Sequence, residues 1–70
     1  MSLGVGRGML LEARRELLAQ WARTTEYWDD ANARAFEARY IEPVDRQVRS
    51  AVEAMEKLGQ LVERARRACE

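Results

Sequence analysis

Residues 24–44 read TTEYWDDANARAFEARYIEPV, and the topology of the chain turns on them. Thr24, Thr25, Asp29 and Asp30 are weak helix formers whose short polar side chains make good N-caps. A helix therefore ends near Tyr27 and another starts at Asp29 or Asp30, where the positive end of the helix dipole favours a carboxylate. The new helix carries Ala33, Phe36 and Tyr40 on one face. Pro43 has no amide proton and disfavours helical geometry at Glu42, which predicts a kink or a restart there. A second topology stays open, with one helix from Met9 to Glu42 and the reversal at Pro43. The first accounts better for the paired aspartates, and residues 29–45 hold five acids against two arginines.

Upstream of this stretch, Leu10, Leu17, Trp21 and Trp28 recur at steps of seven, four and seven, with Leu11 and Leu18 beside them. That spacing predicts a helix with one apolar stripe. Glu12, Arg14, Arg15 and Glu16 fall to its solvated side in this reading. Downstream, Val48, Ala51, Met55, Leu58, Val62, Ala65 and Cys69 step by three and four, as in a coiled-coil seam. Val52 and Leu61 widen the stripe to the kind of face that meets more than one neighbour. Gly59 inside this helix marks either a close helix approach or a solvent-facing position.

The ends are read more simply. Gly4, Gly6 and Gly8 break up any apolar run, so residues 1–8 are expected as a flexible leader and residues 9–70 as a single domain. The expected fold class is all-α: a helical hairpin with a long second helix kinked at Pro43, two copies of which assemble into a four-helix bundle. Leu17, Trp21, Trp28, Phe36 and Tyr40 form the expected hairpin core. Val48, Ala51, Val52, Met55, Leu58, Val62 and Ala65 form the expected interface.

Composition narrows the function. Seventy residues hold twelve acidic and twelve basic side chains, one cysteine and no histidine. Histidine-dependent nucleophilic pairs are thereby excluded within the chain, a zinc site is left with almost only carboxylates, and one cysteine makes no internal disulfide. Asp29, Asp30, Glu37 and Glu42 lack the spacing and central glycine of a calcium loop, and capping accounts for the aspartates. A net charge of zero argues against a sequence-independent grip on nucleic acid. Arg64, Arg66 and Arg67 sit where they complement a helix C-terminus. No stretch has the apolar length of a membrane span. The expectation is a protein without catalytic residues, metal or cofactor, and with no nucleic-acid or membrane partner.

The residues around Trp28 resemble the WXG-type family of early-secreted-antigen proteins, small helical hairpins of bacterial type VII secretion systems. In that family a tryptophan, a free position and a glycine stand at the turn, and an aromatic follows on the next helix. Here Trp28-Asp29-Asp30 stands at the turn, Phe36 follows eight residues after the tryptophan, and Tyr40 comes one helical turn later. Asp30 takes the place of the glycine, and Tyr27 and Tyr40 are followed four residues on by Ala31 and Val44 instead of the acid of the export signal. The resemblance implies a hairpin that works by pairing with another hairpin and a non-classical export route; without it the chain is expected in the cytoplasm, with Cys69 a free thiol.

Small size points the same way. A chain of this length buries only about 60% of the surface its unfolded form exposes, and self-association is a common remedy. The function expected is that of a small helical interaction protein, acting as a homodimer or with a small helical hetero-partner. The alternative is a regulatory or scaffolding subunit that binds helices of a larger protein.

Overall fold

The computed structural model describes residues 2–69. The chain is an all-α helical hairpin: helix α1 (Leu3–Thr24), a turn, a short helix α2 (Ala31–Phe36), a π-helical segment (Glu37–Ile41) and a long helix α3 (Glu42–Cys69). α1 and α3 pack antiparallel, and the long-axis extent of 58 Å against 17 and 12 Å makes the molecule a rod. Its radius of gyration is 16.9 Å, where a compact chain of this length has about 11 Å. Among the described residues no helix is long and apolar enough to cross a membrane.

The reversal lies between Thr24 and Ala31. The amide of Trp28 donates to the carbonyl of Thr24 at 3.0 Å and that of Tyr27 to the same oxygen at 3.1 Å, which closes the last turn of α1. Asp30 then takes an extended conformation, and its carboxylate accepts from the amide of Ala33 at 3.0 Å. This N-cap satisfies one of the free donors at the start of α2. The alternative reversal at Pro43 is not adopted.

Pro43 restarts the chain without breaking its direction. A proline ring clashes with the carbonyl four residues back, here that of Arg39. The preceding turn widens to π geometry, with the amide of Glu42 donating to the carbonyl of Glu37 five residues earlier. The widening gives the ring room, and Pro43 sits in the first turn of α3, where an amide proton is dispensable.

α1 begins earlier than its glycines suggest. Residues 3–8, expected within a flexible leader, are helical, while Met1 lies outside the described residues. Two features hold this turn. The Ser2 hydroxyl accepts from the amide of Val5 at 3.1 Å, and Gly6 faces Met55, whose terminal methyl would lie 2.8 Å from a Cβ at that position. The close helix approach thus falls at Gly6. At Gly59 the corresponding space is open.

Candidate interaction surface

The hairpin end is built on aromatics. Trp21 stacks on Phe36 with ring centroids 5.4 Å apart, meets Trp28 edge-on at 6.1 Å, and Trp28 lies 5.8 Å from Phe36. Tyr40 extends the row at 5.0 Å from Phe36. Three rings at these separations from three different segments tie α1, the turn and α2 together. Beneath them Ala33 is fully buried, the one such residue among those described. Leu17 is half-buried one turn before Trp21. The fifth aromatic, Tyr27, is 91% exposed and stands outside the cluster.

Several polar groups at this end pair with one another. The indole N–H of Trp21 donates to the Glu37 carboxylate at 2.6 Å, and Arg34 reaches the other oxygen of Glu37 at 3.3 Å. Arg34 also pairs with Asp29 at 2.8 Å. Asp29, Asp30 and Glu37 therefore serve the turn: an ion pair, a cap and an acceptor for a tryptophan.

Arg14 and Asp45 connect the two long helices. Arg14 was expected on the solvated side, yet it falls on the same stripe as Leu10, Leu17 and Trp21, at steps of four, three and four. Its guanidinium bonds directly to the Asp45 carboxylate, which also pairs with Arg49 at 3.3 Å. The hydrogen bond from Arg14 holds the Asp45 carboxyl below the usual aspartate range, and the charges of Arg14 and Arg49 act in the same sense. One cation and one anion at the same level of two otherwise apolar stripes set the alignment of α1 on α3, since a slip of one turn separates them. Arg14 was recognisable from its position in the stripe; the identity of its partner was not.

The alignment decides which of the expected interface residues remain available. With Arg14 at Asp45, Gly6 at Met55 and Arg7 reaching Glu56 at 3.7 Å, the first helical residue of α1 comes level with about Gly59. Val48, Val52 and Met55 are half-buried against α1. Ala51, Leu58, Val62 and Ala65 are exposed, as are Leu61 and Val44. The seven residues read as one seam thus divide into a part that α1 covers and a part facing outward. Residues 60–69 extend past α1, and every one of them is exposed.

Between the start of α1 and this overhang lies an open groove of about 560 Å³, bounded by Leu3, Arg7, Met55, Gly59 and Arg67. Its walls combine apolar side chains with Arg7 from α1 and charges of both signs from α3. No family model, curated protein or solved structure matches the chain.

Proposed function

We propose that this chain is a small non-enzymatic interaction protein that works by burying the outward face of α3 against another helix, either of a second copy or of a small helical partner. The observation that carries the reading is the exposure of four large apolar side chains of α3: Leu58, Leu61 and Val44 beside the stripe that meets α1, and Val62 where that stripe runs past it. A helix of 28 residues packed against one of 22 leaves apolar surface of α3 open to a partner helix. The resemblance around Trp28 to Tyr40 supports the further reading as a type VII secretion-like substrate or adaptor.

Light scattering combined with circular dichroism across a dilution series tests this. A mass above the 8.1 kDa of one chain, falling together with helicity on dilution, is the expected result for folding coupled to assembly. A folded monomer at every concentration directs the search to a hetero-partner, including helices of a larger protein. A chain that stays folded and monomeric and keeps both properties with Leu58→Asp in the presence of every candidate partner speaks against the reading.

A further inference from the structure

The outward face of α3 has a register of its own, distinct from the one that meets α1. Starting at Val44 and stepping alternately by three and four, it runs through Ala51, Ala54, Leu58 and Leu61 to Ala68. Every position on it is exposed, and none is charged. Just before its midpoint the stripe is small, at Ala51 and Ala54, and just after it is large, at Leu58 and Leu61. In a parallel pairing of two copies, leucine would meet leucine and alanine would meet alanine, so the two axes would be forced apart at one level and left too distant at another. In an antiparallel pairing whose facing residue numbers sum to 112, Leu58 meets Ala54 and Leu61 meets Ala51. At the ends Ala68 meets Val44, and Ala65 meets Gln47. Each large side chain then faces a small one, the arrangement that keeps a helix pair at constant spacing and fills its layers.

We propose that the occupant of this face is a second copy of the chain, docked antiparallel about a two-fold axis at position 56. The inference rests on the reading of the protein as an interaction module and specifies both partner and geometry. Two features point to a second copy. First, the face is complementary to itself under a two-fold rotation, as an isologous interface requires. Second, the surface area fits: the chain exposes 5665 Å², whereas a compact monomer of its mass exposes about 4,500 Å². The excess surpasses the roughly 800 Å² that each partner contributes to a standard interface. The pairing also covers the overhang, because residues 60–69 of each copy lie along residues 43–52 of the other. Val62 then comes beside the partner's Val48, linking the new seam to the one that α1 covers.

Thiol cross-linking of the full chain tests the geometry. Lys57 flanks the stripe one residue before Leu58, so in the antiparallel dimer the two copies of position 57 meet beside the axis. The two copies of Cys69 are then separated by about 39 Å along the helix. Lys57→Cys in a Cys69→Ser background should give a covalent dimer with a short bis-maleimide, and the parent chain should give none through Cys69. The reverse pattern, Cys69 linked and position 57 not, overturns the antiparallel register while leaving self-association intact. A folded chain that sediments as a monomer at all concentrations overturns this inference and self-association together, and leaves only a hetero-partner.

A side-chain exchange supplies a second measurement that does not depend on cross-linker reach. Ala54→Leu alone sets leucine against Leu58 of the partner and should raise the dimer dissociation constant about tenfold or more. Adding Leu58→Ala restores a large side chain facing a small one, and affinity should return to within about threefold of the parent. A double variant that binds more weakly than the single one would sink the register. Circular dichroism of each variant confirms that the hairpin is intact.

Discussion

Both ends of this rod carry apolar side chains at helical spacing, and the two sets have opposite fates. At the hairpin end, Trp21, Trp28, Phe36 and Ala33 bring three segments within contact, and the polar groups there pair with one another. At the other end, α3 continues through Leu58, Val62, Ala65 and Cys69 at steps of four, three and four, and all four are exposed. Periodicity therefore signals that a helix has an apolar face, while the length of the neighbouring helix determines whether that face is covered. Here α1 begins level with about Gly59, and residues 60–69 of α3 are exposed.

The largest expected effect is at the aromatic end. Trp21→Ala removes a stacked ring, an edge contact and the donor to Glu37, and should cost about 3 kcal/mol. Urea denaturation at low micromolar concentration is the measurement, and a loss below about 1 kcal/mol would show that the cluster does not anchor the fold. Asp30→Ala deletes the cap on α2 and should cost about 1 kcal/mol by the same measurement. Asp30→Ser should recover most of that loss, because the hydroxyl also accepts from the amide of Ala33.

The other end should respond in the opposite direction. The Cβ of alanine at Gly59 would meet open space, so Gly59→Ala should stabilise the hairpin by up to about 1 kcal/mol through helix propensity alone. Gly6→Ala has the same propensity gain but must displace the methyl of Met55, so its benefit should be smaller. If the two substitutions stabilise equally, the approach at Gly6 is not tight. Leu61→Ala should change the stability of the dilute monomer by less than about 0.5 kcal/mol, in contrast to Trp21→Ala. A large loss there in the monomer would erase the distinction between the ends.

Acid probes the junction between them. The Asp45 carboxyl is held lower in the folded chain than in the unfolded one, chiefly by the hydrogen bond from Arg14. Its contribution is complete above the unfolded aspartate value, about 3.9, and is lost as pH falls through the folded value. The thermal midpoint should therefore change little between about pH 7 and 5 and decline below about pH 4, with a shallower decline in Asp45→Asn. Equal slopes for the two proteins would remove Asp45 from the acid response.

Much of the hairpin could be read from the residues. The two apolar stripes, the weak helix formers from Thr24 to Asp30 and the cap at Asp30 follow from local chemistry, which acts over a few residues and leaves its mark in the sequence. The helical state of residues 3–8 was hidden, because Gly4, Gly6 and Gly8 disfavour helix, and the contact of Gly6 with Met55, the Ser2 cap and the Arg7–Glu56 pair act against that cost. Pro43 signalled a kink or restart, and the structure shows the form it takes, a widened turn from Glu37 to Ile41 that gives the ring room and lets the chain continue into α3.

The candidate surface divides in the same manner. Val48, Ala51, Val52, Met55, Leu58, Val62 and Ala65 were marked as apolar by spacing alone, and spacing made no distinction among them. That the chain is helical, that it reverses once and that α3 carries a wide apolar face can be read from the residues, because these properties arise from propensity and periodicity along the chain. Which part of that face is covered emerges with the packed hairpin, because the answer depends on the alignment of two helices. Arg14 against Asp45 and Gly6 against Met55 fix that alignment across about fifty residues of intervening chain at most, a distance over which no local pattern carries information.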